Sequence, residues 1–203
     1  MKICSWNVNS ISTIKTWHPW SDSCKFPSFN DILNDLKCGM HWSALMNPLD
    51  IICVQEVKST KEKLSQDYHT LKDYFAFYAL HPTDGYAGVA TFVKKSICPL
   101  HCQPGFSGLS FPVDAIGGVD ELYASMDKKE LLKLDSEGRC IITDHGRFVL
   151  FNVYFPCESE HDHRQLFKEK FSRAVQLRVD SLINAGRSVI LVGDVNVAHL
   201  PIE

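Results

Sequence analysis

Four apolar runs in the chain each end in a polar residue. Lys2-Ile3-Cys4-Ser5-Trp6 leads into Asn7, and Asp50-Ile51-Ile52-Cys53-Val54-Gln55 leads into Glu56. Phe148-Val149-Leu150-Phe151-Asn152-Val153 leads into Tyr154, and Val189-Ile190-Leu191-Val192-Gly193 into Asp194, with Asn196 just beyond. Short apolar runs bounded by turn or helix signals read as buried strands. Side chains at the ends of such strands can converge on one rim, where open sheets usually hold their ligands. Carboxylates, carboxamides and a phenol on one rim suit a hard cation and a phosphate.

The rest of the pattern supplies the frame. Ser28 to Leu36 reads as a helix, with Ser28 as its cap and Phe29, Ile32, Leu33 and Leu36 on its apolar face. Cys38 to Asp50 leads into the second strand, and Ser59 to Gln66 reads as a short helix. Tyr74 to Leu80 and Val89 to Lys94 read as strands around a turn-rich stretch, His81 to Gly88. Residues 98–120 carry Pro99, Pro104, Gly105, Gly108, Pro112, Gly117 and Gly118 and read as one long loop. Cys140 to Asp144 and Phe148 to Tyr154 flank His145-Gly146, a hairpin signature, so part of the sheet is antiparallel. His161 to Ala185 reads as the longest helix, with Phe167, Phe171, Val175, Val179 and Leu182 as its buried stripe and Gly186 as its stop. Strands mixed with helices and a hairpin imply an α/β fold with helices outside a mixed sheet.

At 203 residues and 45% hydrophobic, the chain can build one cored domain. It has no run of 18 apolar residues, so no membrane-spanning segment is expected, and its first residues lack a signal-peptide core. Eight cysteines fit a reducing cytosolic or nuclear setting, and Cys98 and Cys102 read as ordinary loop cysteines rather than a zinc site. A net charge of −3 counts mildly against a nucleic-acid partner, although positive charge can be local. Arg164, Lys168, Lys170, Arg173 and Arg178 lie along the long helix and read as a solvated face.

Six blocks then occur in order: Cys4-Ser5-Trp6-Asn7-Val8-Asn9, Val54-Gln55-Glu56, Gly85-Tyr86-Ala87-Gly88-Val89, Glu137-Gly138-Arg139, Asn152-Val153-Tyr154-Phe155-Pro156 and Gly193-Asp194-Val195-Asn196-Val197-Ala198-His199. Together they make the chain resemble the endonuclease/exonuclease/phosphatase superfamily, and within it the exonuclease III class of apurinic/apyrimidinic (AP) endonucleases. Leu134 to Arg139 and Gln176 to Glu203 look most like the AP endonuclease 2 branch. The resemblance implies a four-layer α/β sandwich, two packed mixed sheets flanked by helices. Residues 1–203 would be the N-terminal portion of the catalytic domain, with the C-terminal part of the second sheet missing. The implied activity is a Mg²⁺-dependent phosphodiesterase, Mn²⁺ being a substitute ion. It would incise DNA at abasic sites and process blocked 3′ ends in base excision repair. The implied location is the nucleus, with mitochondrion or cytoplasm as alternatives.

Roles follow residue by residue. From position alone Glu56 reads equally as a surface glutamate or a metal ligand; the resemblance implies the ligand. Asn9 stands where many similar AP endonucleases carry aspartate, so it can ligate or position a water without adding charge. Asn7 matches the asparagine that orients the catalytic groups. Asp194 matches the residue that aligns or deprotonates the attacking water, and Asn196 a donor to a phosphate oxygen; an Asx turn there is compatible with both. Tyr154 matches a tyrosine acting near the scissile phosphate, and the unperturbed phenol pKa near ~10 favours a donor over a phenolate. Cys157 stands where relatives often carry asparagine. Arg139 is expected to touch a DNA phosphate, and Tyr86 to lie on a loop meeting the DNA backbone. The closing Ser-Asp-His motif of the family does not occur in the chain, and His199, which belongs to the Asn196-Val197-Ala198-His199 block, does not stand in for it, so the 203-residue product is expected to be poorly stable and inactive. The alternatives are a non-catalytic DNA-binding or regulatory fragment, or another superfamily phosphoesterase such as a phosphoinositide phosphatase or deadenylase.

Overall fold

The computed structural model describes residues 1–17, 20–36, 48–110, 115–119, 122–157 and 162–197. Two four-stranded sheets pack face to face. The first contains β1 (Ile3–Asn7), β2 (Ile51–Gln55), β3 (Tyr74–Ala79) and β4 (Val89–Lys94) in the order β1-β2-β4-β3. The second contains β5 (His101–Pro104), β6 (Cys140–Asp144), β7 (Val149–Tyr154) and β8 (Val189–Asp194) in that order. Each sheet is antiparallel except for one parallel pair, β1 with β2 and β7 with β8.

The strand pleat sorts the cores. Ile52 and Val54 of β2 face outward with Phe29, Ile32 and Leu33 of α1 (Phe29–Asp35). Ile51 and Cys53 of the same strand face inward, against Phe148 and Leu150 of the other sheet. On the far side Phe151 and Val153 pack on Leu131 and Leu134 of α3 (Lys128–Ser136) and on Phe171 and Val175 of α4 (Asp162–Asn184). The result is the expected order of layers: helix, sheet, sheet, helix. Ser28 caps α1 through a reciprocal pair, its Oγ accepting from the Asp31 N–H while its own N–H donates to the Asp31 carboxylate.

Three expectations need correction. Residues 59–65 are not helical, with a turn only at 61–63, and the short helix, α2, covers Gln66–His69 instead. Ser65 is extended there, so the turn closed by Leu64 N–H on the Thr60 carbonyl cannot run into it. Residues 98–120 are not all loop, because β5 lies within them; Pro104 is tolerated since β5 is an edge strand with no neighbour on its outer side among the described residues. Helix α3 was not anticipated, although Asp127 caps it by accepting from the Lys129 N–H and Leu131 and Leu134 give it an apolar side. Most of the Cys38 to Asp50 stretch lies outside the described residues.

Candidate active site

The four apolar runs do end at one rim. Parallel pairing sets Asn7 beside Gln55, so Glu56 follows at the same level. Parallel pairing likewise sets Tyr154 beside Asp194. One glycine permits the second pairing: a Cβ on Gly193, at φ +139°, would lie 1.8 Å from the Val153 carbonyl oxygen. The Asn7 amide joins the sheets. Its Nδ2 donates to Glu56 Oε1 and to Asp194 Oδ2, each at 2.8 Å. The Asp194 Oδ1 accepts from the Asn196 backbone N–H at 3.0 Å, an Asx turn, and Asn196 Nδ2 donates to the Phe155 carbonyl at 2.7 Å. Ser5, Asn7, Gln55 and residues 193–197 line an open cleft here.

Beneath the rim lies a polar network with no role assigned from sequence. Gln55 Nε2 donates to Asn152 Oδ1 at 2.8 Å, and Asn152 Nδ2 donates to the Ala90 carbonyl at 2.8 Å and to Thr91 Oγ1 at 3.1 Å. All three side chains are buried between the sheets. The signal was present: a polar side chain inside an otherwise apolar strand needs a partner, and two such strands can supply each other.

The backbone is unusual at the same place. Asn9, Glu56, Lys58, Ala87 and Asn196 are the non-glycine residues with positive φ among those described, and all belong to the rim or the loop bracing it. Such conformations cost about 1–3 kcal/mol each and persist where the surroundings over-determine them. Here Val57 N–H donates to the Gly88 carbonyl at 3.0 Å and Lys58 N–H to the Ala87 carbonyl at 2.9 Å, while Val57 is fully buried.

Charge follows the geometry. Lys58 Nζ lies 2.6 Å from Glu56 Oε2 and 2.5 Å from Asn9 Oδ1. Burial pushes the Glu56 carboxyl up, but hydrogen bonds from Lys58, Asn7 and Tyr154 and the Lys58 charge outweigh it, so Glu56 sits below its usual range. Tyr154 moves the other way, to about 12, mainly through burial and then through donating to Glu56. The phenol therefore stays protonated near neutral pH.

Arg139 is not the open residue that a direct phosphate contact needs. It is 1% exposed and its Nε donates to Glu137 at 2.6 Å. Its guanidinium also stacks on Tyr86 and Tyr154, 5.2 and 4.9 Å from the ring centroids, and Nη2 donates to the Tyr86 hydroxyl at 2.6 Å. Tyr86 is the exposed member, at 43%. The solvated-face reading of α4 also fails in part. Arg164 donates to Glu137 at 2.8 Å and to the Tyr86 hydroxyl at 3.0 Å, and Lys168 donates to the Asn196 carbonyl at 2.8 Å. Arg178 is buried, donating to the Gly118 carbonyl at 2.6 Å and to that of Ile116. Sequence spacing could not show that loop carbonyls and a site carboxylate lie opposite these positions. His199 lies outside the described residues.

The donor set suits a hard divalent cation. Glu56 and Asn9 offer carboxylate and amide oxygens, and a positive charge, the Lys58 ammonium, already rests between them. Among the described residues no three His, Cys, Asp or Glu side chains cluster as a metal cage. An ion held here would therefore keep several waters, as Mg²⁺ does.

The chain is 34% identical over 221 residues to the DNA-(apurinic or apyrimidinic site) endonuclease 2 of Schizosaccharomyces pombe, spanning all of this chain and 38% of that protein. It is 32% identical over 222 residues to the human protein of the same name, spanning all of this chain and 40% of that one. The chain thus spans about two fifths of the length of these curated relatives. The crystal structure of the Xenopus laevis APE2 catalytic domain superposes with a TM-score of 0.75 at 29% identity, over all of this chain and 60% of that one. Residues 4–203 match the family profile itself, and the chain belongs to the Endonuclease/Exonuclease/phosphatase family.

Proposed function

We propose that this chain carries the phosphodiester-cleaving site of a DNA repair nuclease that incises at abasic sites and processes 3′ ends, with Mg²⁺ or Mn²⁺ as cofactor and the nucleus as its place of action. The observation that supports this best is the Asn7 amide tying Glu56 to Asp194 at 2.8 Å on either side. A divalent ion bound at Glu56 and Asn9 would act as a Lewis acid on a phosphate oxygen. Asp194, with lone pairs left on both oxygens, accepts a proton from an attacking water. Asn7 fixes the carboxylate of Asp194 relative to that of Glu56. Tyr154, protonated, donates toward the developing charge on the phosphate once its bond to Glu56 opens. Asn196 is engaged with the Phe155 carbonyl and with the Tyr154 hydroxyl, which supports a role in orienting Tyr154 beside one in touching phosphate. Tyr86, exposed and braced by Arg139 and Arg164, is the group placed to meet the DNA backbone.

The names of the relatives favour abasic DNA over a phosphoinositide or an RNA tail as substrate. The test is incision of a duplex carrying one abasic site, with Mg²⁺ titrated. Metal-dependent incision lost in Asp194→Asn supports the proposal. Binding of that duplex without incision supports instead a non-catalytic role.

A further inference from the structure

Resting on the reading of Glu56 and Asn9 as the metal-binding pair, we propose that Lys58 is a built-in competitor for the divalent cation: a tethered ammonium that holds the pair together until an ion displaces it. Lys58 Nζ touches both members at once, 2.6 Å from Glu56 Oε2 and 2.5 Å from Asn9 Oδ1. Those are the oxygens that an ion would use. All three residues have left-handed backbone, with φ of 56°, 56° and 47° for Asn9, Glu56 and Lys58. The turn from Glu56 to Lys58 is also fixed on the opposite side by the Val57 and Lys58 N–H bonds to Gly88 and Ala87. The ammonium is thus aimed by backbone hydrogen bonds as well as by attraction to Glu56.

The charge balance gives the device its effect. Asn9 is neutral, so this corner of the site holds one carboxylate, and Lys58 neutralises it. An incoming cation therefore meets a neutralised Glu56 until the ammonium leaves, with Asp194 the next carboxylate, across the Asn7 amide. The Lys58 side chain is 35% exposed, so water is available to receive it. A metal site organised in this way should be assembled without metal, bind it weakly and exchange it readily. The same groups would keep Glu56 from repelling a DNA phosphate when no ion is bound.

Direct Mn²⁺ binding, followed by the EPR signal of the free ion, tests this without reference to turnover. Lys58→Met keeps most of the length of the side chain and removes its charge, while Lys58→Arg keeps the charge. We expect Lys58→Met to bind Mn²⁺ roughly 3–10-fold more tightly than the unaltered chain, the order given by losing one partly screened neighbouring charge. Lys58→Arg should stay within about 2-fold of it on the same reasoning. A second readout is acetylation of the Lys58 amine by acetic anhydride, mapped by mass spectrometry. Saturating Mn²⁺ should increase it as the amine is released. Weaker or unchanged binding in Lys58→Met, or Mn²⁺-independent labelling of Lys58, overturns the competitor role. Glu56→Gln separates the two readings. If it weakens Mn²⁺ binding while Lys58→Met fails to tighten it, only the role of Lys58 is lost; if it leaves Mn²⁺ affinity unchanged, the metal pair itself is wrong and the proposal falls with it.

Discussion

The two sheets approach the cleft by different means. The first delivers Asn9, Glu56 and Lys58 from turns beyond the ends of β1 and β2, all with left-handed backbone and closed on one another by an ion pair. The second delivers Tyr154 and Asp194 from inside β7 and β8, paired across a regular ladder, with positive φ only at Gly193 beside Asp194 and at Asn196 beyond it. One side is a strained, charge-held cradle whose members can exchange partners. The other is a platform whose geometry is set by strand register. Substitutions in the cradle should alter ion affinity and be rescued by more ion. Substitutions on the platform should alter turnover or folding and resist rescue.

The strongest contrast is at the carboxylates. On the platform, Asp194→Asn keeps the shape and removes the base. In an incision-competent form kcat should fall about 10²–10⁴-fold, with abasic DNA still bound and no recovery in excess Mg²⁺. In the cradle, Glu56→Gln should lose activity by orders of magnitude at limiting Mg²⁺ and regain part of it at high Mg²⁺, because the lost charge mainly weakens ion binding. A Mg²⁺ titration of both variants checks the pair. Rescue of Asp194→Asn, or none for Glu56→Gln, would erase the distinction.

Register itself is the next target. Gly193→Ala puts a methyl group into the Val153 carbonyl, so β8 must move off β7. The expected cost is about 3 kcal/mol or more, at the upper end of single substitutions. Thermal unfolding measures it, and a change below about 1 kcal/mol would mean the register does not depend on that contact.

This asymmetry also explains what could be read from sequence. Runs ending in Asn7, Glu56, Tyr154 and Asp194 are a property of strands, and strands announce themselves by apolar composition, so seven of the eight strands and the convergence of these residues were legible, while the division into two sheets came from the family resemblance. The helix stripe through Phe171, Val175 and Leu182 was legible for the same reason, and those residues are buried against the second sheet. The Lys58 bridge was not. It depends on two positive-φ turns meeting across 49 residues, and no local pattern encodes that meeting. Nor was the enclosure of Arg139 legible: a glycine-arginine pair opening a strand gives no hint that Glu137 and Arg164 close around it.

That enclosure yields the smallest and most specific test, on the platform side. Glu137 accepts from Arg139 Nε at 2.6 Å and from Arg164 Nη1 at 2.8 Å, its side chain 15% exposed. Burial alone would push its carboxyl up, but the two guanidiniums outweigh burial and hold it below the ordinary range. A carboxyl whose folded pKa lies below its unfolded value, near ~4.3, contributes stability that is fully present above that value. The contribution is lost as pH falls through the folded pKa. Glu137→Gln leaves the buried Arg139 without its charge partner, which should cost about 1–3 kcal/mol at neutral pH; the figure is reduced because Arg164 is partly open to water. Melting curves of both proteins from neutral pH downward check the sign. The gap should be widest near neutrality, narrow as pH falls below the unfolded value of about 4.3, and close once the native carboxylate protonates. A gap that stayed constant across that range would mean Glu137 supports the Tyr86–Arg139–Tyr154 stack by shape rather than by charge, and the platform would then owe nothing to electrostatics.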